Sequence, residues 1–264
     1  MTVSTEGVKN SLYRSDIEIF DVTPEMGRIW RVRIGMITLA SGLTAELEMN
    51  EILPKDALLL PTRIMNKDEI SMGNLAEMQT DMTRGAATIL PEEHLDVMIY
   101  CCTSGTIAMG EETVTACIRA VKPGIAVTNP FTATVAAFRA LNLKHVAMLA
   151  PYTVEVTTAM REHLEGKGLE IVRTGTFGLA LDSEICQVAQ DAIYTHAVAM
   201  DCAEAEALFV SCTGLRVVGL IDAIEREIGK PVVTSNQALA WHALQLAGYR
   251  DPVPGFGALM AAER

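Results

Sequence analysis

The chain has 264 residues, half of them hydrophobic and only 5% aromatic, with a formal charge of −12. That length suits one large or two small domains with a sizeable core, and the abundance of Ala, Val, Leu and Met suits helices packed over a sheet. No basic cluster interrupts the acidity, which excludes nucleic acid and anionic membrane surfaces as partners, whereas a small anionic substrate stays open because amides and hydroxyls bind carboxylates locally.

In chain order, residues 1–20 mix Glu, Lys, Asn, Arg and Asp. They form neither a secretory leader nor a membrane span, so a cytoplasmic location is expected. Residues 1–30 read as an N-terminal extension. The first strand is Val32–Leu39, followed by the loop Ala40-Ser41-Gly42-Leu43 and an acidic helix starting near Thr44. An apolar run from Asp56 to Thr62, bounded by Pro54 and Pro61, precedes a Met-rich helical stretch from about Ile70 to Ile89. A strand from Asp96 then ends at Cys102, and a loop over Thr103-Ser104-Gly105-Thr106 leads to a helix. Lys122 to Val127 reads as a short strand ending in Thr128-Asn129.

The second half repeats the plan. Lys144 to Ala150 answers the first strand, Ala207 to Cys212 answers the strand ending at Cys102, and Lys230 to Asn236 answers Lys122 to Asn129. The helix Thr132 to Leu141 likewise resembles Ala238 to Ala247. Continuous apolar strands alternating with helices imply parallel sheets buried on both faces. The expected fold is therefore α/β, with two pseudosymmetric lobes, each a short parallel sheet flanked by helices, and an active site in the cleft between them. Residues 1–129 with 236–264 form the first lobe in this reading, and 130–235 the second.

Six cysteines and five histidines are present. A chain this long in a reducing compartment has no need of disulfides, no CxxC spacing occurs, and the histidines are isolated, so no structural zinc site is expected. Cys102 and Cys212 stand out because each ends a buried strand, is followed by Thr, and then by Gly within three residues. Open α/β sheets bind ligands at such strand ends. A sharp turn there aims N–H groups into the cleft, where they stabilise a carboxylate and, more tightly, an enediolate, and lower the pKa of a nearby thiol. Cys101 points to the opposite face of its strand. It joins Cys117, Cys186 and Cys202 as a small buried hydrophobe. Neither key cysteine has a base beside it in sequence, which leaves a Cys-His hydrolase with a remote histidine as the weaker alternative.

The strings Cys102-Thr103-Ser104-Gly105 and Ser211-Cys212-Thr213-Gly214-Leu215, with Gly35-Met36-Ile37, Pro151-Tyr152 and Pro231 to Ala238, resemble the aspartate/glutamate racemase superfamily. Within it the chain is most similar to the branch holding arylmalonate decarboxylase, maleate cis-trans isomerase and the ectoine-utilisation protein A group, the last being the closest match. The resemblance covers roughly Val32 to Gly257. It implies an enzyme without a cofactor, a small carboxylate substrate such as an amino-acid derivative, and a homo-oligomer, dimer or tetramer. It also places the paired acid and base on Cys102 and Cys212, and the carboxylate hole on Thr103, Ser104, Tyr152 and the Thr213 backbone. Gly42 falls where maleate isomerase carries a substrate-contacting asparagine. Asn129 and Asn236 stand at matched strand ends, where they either donate to substrate or satisfy their own backbone.

Arylmalonate decarboxylase has glycine where this chain has Cys102. A decarboxylase needs one proton donor, whereas a racemase needs a base and an acid on opposite faces, so Cys102 points to racemisation or isomerisation. Covalent thiol addition to an alkene diacid, an arylmalonate-type decarboxylation and a two-lobed carboxylate-binding protein are the rival readings. Arg216 and the Glu111 to Val114 run read as solvated helix starts, and Trp241-His242 as packing.

Overall fold

The computed structural model describes Ile17, residues 20–23 and residues 29–262. Most of the expected N-terminal extension therefore lies outside the described residues.

Eight strands form two sheets. The first holds β1 (Val32–Leu39), β2 (Ala57–Ile64), β3 (Val97–Tyr100) and β4 (Ala126–Thr128), and the second β5 (His145–Tyr152), β6 (Glu170–Leu179), β7 (Ala207–Val210) and β8 (Val232–Thr234). Every pairing is parallel, and the orders, β2-β1-β3-β4 and β6-β5-β7-β8, are the same. This shared order matches the internal repeat read from the sequence. Strands β3 and β7 are buried throughout, as central strands covered on both faces must be. The outer strand β2 accommodates Pro61 because it pairs on one side only.

Twelve α-helices are described: α1 (Ala45–Ile52), α2 (Met72–Glu77), α3 (Gln79–Thr88), α4 (Thr103–Met109), α5 (Glu111–Arg119), α6 (Pro130–Ala140), α7 (Val154–Gly166), α8 (Asp182–Ile185), α9 (Gln190–Ala199), α10 (Ile221–Ile228), α11 (Ser235–Leu246) and α12 (Gly257–Ala261). Local signals explain several starts. Asn129 caps α6 and Pro130 occupies its first turn, while Thr234 and Gln237 form a reciprocal capping box on α11. Helices α6 and α11 pack on each other, and each reaches past its own sheet: α11 touches β3 and β4 as well as β8, and α6 touches β8. The two sheets therefore share one hydrophobic core.

Three expectations change. Thr103 to Thr106 is no loop: α4 begins at Thr103, immediately after its cap Cys102. The Met-rich stretch divides at Met78 into α2 and α3. Glu111 is not simply solvated: it accepts from His163 (3.0 Å) and pairs with Lys167 (2.8 Å), tying α5 to the α7 region, and these partners hold its carboxyl down at about 2.

Candidate active site

Cys102 and Cys212 follow the central strands of the two sheets, at their carboxyl ends. Cys102 has an extended backbone and caps α4, its sulfur accepting from the Gly105 amide at 3.3 Å. Gly105 is required there, because a Cβ would collide with the Tyr100 hydroxyl and lie 2.9 Å from the Cys102 sulfur. Cys212 differs. Its φ is +112°, a region that side chains rarely occupy, and its sulfur accepts from the Gly214 amide at 3.2 Å.

One chain of polar contacts joins the two thiols. The Ser104 hydroxyl lies 3.8 Å from the Cys102 sulfur, and the buried Tyr152 hydroxyl interacts with both Ser104 and Cys212. A second chain ties the backbones: the Thr103 hydroxyl donates to Ser235 Oγ (3.1 Å), which also accepts from the Cys212 amide (3.0 Å). The Thr213 hydroxyl donates to the Cys101 carbonyl at 3.2 Å. The Thr213 amide has no hydrogen-bond partner among the described residues.

The structure thus gathers Cys102, Thr103, Ser104, Tyr152, Cys212 and Thr213. Asn236 stands behind them, its amide donating to the Thr213 carbonyl (3.0 Å) and to buried Glu48 (2.8 Å). Asn129 is elsewhere engaged, both ends of its amide being satisfied by Thr132 at the start of α6. Gly42 is held through its carbonyl by Arg63 (2.8 Å), and its loop reaches inward through the neighbouring Ser41, which donates to Asp182.

Several residues escaped the sequence reading. Asp182, buried at the start of α8, raises both thiols by its charge. Tyr100 adjoins the Cys102 sulfur and lowers that thiol. Cys186 is buried beside Cys212, the two sulfurs flanking Gly214. Glu48 accepts from the Val218 amide (2.8 Å), and burial pushes its carboxyl up to about 7. Ser235 could have been suspected, since it follows the cap Thr234 in a segment the repeat had already marked. Tyr100 lies two residues before Cys102, whereas Asp182, Cys186 and Glu48 arrive through contacts far apart in sequence.

Burial dominates the electrostatics. It pushes the Cys102 thiol up to about 11, against the Gly105 amide, Ser104 and Tyr100, which lower it. The same cause raises Cys212 further, although Tyr152 and the Gly214 amide oppose it. Both thiols are therefore protonated near neutrality. The hydroxyls of Ser104 and Tyr152 and the Thr213 amide are hydrogen-bond donors of the kind that bind a carboxylate. Among the described residues no group of three His, Cys, Asp or Glu side chains is arranged to hold a metal ion, and no helix is long and apolar enough to cross a membrane.

A model of the arylmalonate decarboxylase family matches residues 81–260, a span that includes both cysteines. The chain belongs to the arylmalonate decarboxylase family. Members similar to it carry two kinds of activity. The maleate isomerase of Nocardia farcinica is 26% identical over 239 residues, 86% of this chain and 95% of that one. The arylmalonate decarboxylase of Bordetella bronchiseptica is 30% identical over 159 residues, 58% of this chain and 61% of that one. The fold agrees as well. A Nocardia farcinica maleate cis-trans isomerase, a cysteine-to-serine variant with a covalently bound succinylcysteine intermediate, superposes with a TM-score of 0.81 at 24% identity, covering 88% of this chain and 99% of the other.

Proposed function

We propose that the protein is a cofactor-independent racemase or epimerase that exchanges the proton on the α-carbon of a small carboxylate. The observation that carries this reading is the Cys102–Ser104–Tyr152–Cys212 chain, two buried thiols bridged by two hydroxyls. One cysteine, as thiolate, removes the proton. The electron pair passes into the carboxylate to form an enediolate, held by Ser104, Tyr152 and the Thr213 amide, and the other thiol returns a proton to the opposite face. The α-carbon is a weak acid, so positioning and this electrostatic hole carry most of the barrier reduction. Cys102 argues against decarboxylation, which needs one thiol. The Cys-Thr-Ser-Gly and Ser-Asn-Gln-Ala strings support placement in the ectoine-utilisation protein A group.

Proton exchange in deuterated water tests the proposal. The wild type incorporates deuterium into both enantiomers of its substrate, whereas Cys102→Ser and Cys212→Ser each lose racemisation by about 10²–10⁴-fold and fail with opposite enantiomers. Equal, undiminished racemisation in both variants overturns it.

A second reading is favoured by the maleate isomerases among the relatives. Here one thiolate adds to the double bond of a cis-diacid, the carbon–carbon bond rotates, and expulsion of the thiolate restores the alkene. A mass increase on Cys212 equal to one maleic acid, with fumarate released, would select it.

A further inference from the structure

Asp182 separates this site from one built for two carboxylates. It is 8% exposed, and its Oδ2 accepts from Ser41, whose hydroxyl in turn accepts from the Asn66 amide at 2.8 Å. That relay holds the carboxylate in place and leaves Oδ1 without a hydrogen-bond partner among the described residues. No cation among those residues neutralises it. Lys67 lines the same crevice, together with Ser104 and Asp182, but is engaged by Glu77 (2.9 Å) and Asn74 (3.1 Å). A neighbouring acid, Asp68, adds to the negative potential and accepts from Ser183 at 2.7 Å and 2.8 Å. Burial raises the Asp182 carboxyl, and either a proton or a neighbouring cation relieves the cost of its charge.

We infer that Asp182 is a specificity residue that binds an ammonium group on the substrate, so that the site takes an amine-bearing carboxylate rather than a dicarboxylate. The residues beside it complete the pattern. Ser104, which lines the crevice with Asp182, also belongs to the hydroxyl pair proposed to hold a carboxylate, so the two ends of a zwitterion have complementary groups. A second carboxylate in the same place would face Asp182 without a neutralising cation. The inference deepens the proposed function and rests on that reading for the site's location, but not for its chemistry.

Alkylation by iodoacetamide, followed by peptide mass at Cys102 and Cys212, reports occupancy without requiring turnover. The probes are 2-aminobutyrate and 2,4-diaminobutyrate, each compared with 2-hydroxybutyrate, a hydroxy counterpart that carries no ammonium group, and with maleate. In the wild type at least one amine should protect the thiols at a concentration about tenfold or more below that needed of 2-hydroxybutyrate or of maleate, as expected for a charge-assisted contact. Asp182→Asn should abolish that preference. Equal protection within every pair in the wild type overturns the inference, whether or not the variant folds, and so does an undiminished preference in folded Asp182→Asn. Amine protection without solvent deuterium exchange leaves this inference standing and sinks the racemase reading. Exchange without amine preference does the reverse.

Discussion

The two halves put the same dipeptide, Cys-Thr, at the same strand end and then diverge. After Cys102 the backbone passes straight into α4, and the cysteine is an extended residue whose sulfur caps the helix. After Cys212 it takes a positive φ, turns through Thr213 and Gly214, and meets no α-helix until α10. One thiol is thus supported by a helix start and Tyr100, the other by a strained turn and Tyr152. A repeat can therefore supply a symmetric pair of reagents in unequal surroundings: burial raises both thiols, and different partners oppose it in each half.

The sharpest way to test that inequality is through the tyrosines. Tyr152 reaches both Cys212 and Ser104, so Tyr152→Phe breaks the bridge and removes a donor to the enediolate. Racemisation should fall by about 10²–10³-fold. Tyr100→Phe, which touches only the Cys102 side, should cost less than about tenfold. Equal losses from the two variants would erase the distinction between the halves.

The pH dependence gives the next largest effect. Burial raises both thiols, so the ionised base becomes scarcer as pH falls, and activity must rise with pH rather than decline. The sequence motif alone suggests helix-lowered thiols and a plateau at or below the ordinary cysteine range. The structure predicts a kcat/KM that climbs about tenfold per pH unit well beyond about pH 8.5. A plateau at neutral pH in the measured profile would contradict it.

The smallest effect is on stability. Glycine relieves a positive φ but loosens an extended residue, and both substitutions discard one buried thiol. Cys212→Gly should therefore be less destabilising than Cys102→Gly by about 1–2 kcal/mol, measured by urea unfolding. The opposite order would remove the backbone argument for the asymmetry.

Much of this architecture is visible in the amino-acid order because parallel strands in a covered sheet are continuous apolar runs. The strands ending before Cys102 and Cys212, and the repeat that relates them, follow from that rule. Strand β6 obeys another one. It is an outer strand with several exposed polar residues, including Arg173 and Thr174, and resembles a surface loop. The loop expected over Thr103 to Thr106 failed because Ser, Thr and Gly are read as turn formers, whereas in α4 they are small buried residues that admit the Tyr100 hydroxyl and the Cys102 sulfur. In the site, the motif residues were legible and their partners were not. Ser41 and Asp182 lie 141 residues apart and Glu48 and Asn236 188, so they meet only in the folded chain, and nothing in either local string announces the encounter.

The segment before α2 and the segment entering α8 are laced together beside the crevice that Ser104 and Asp182 line. The Ile70 amide donates to the Ala180 carbonyl at 2.8 Å, and the Asp182 amide to the Asp68 carbonyl at 2.9 Å. Because Asp182 belongs to this seam, its carboxylate is tied through the backbone to the segment before α2, so any displacement of that segment would carry the proposed ammonium contact with it.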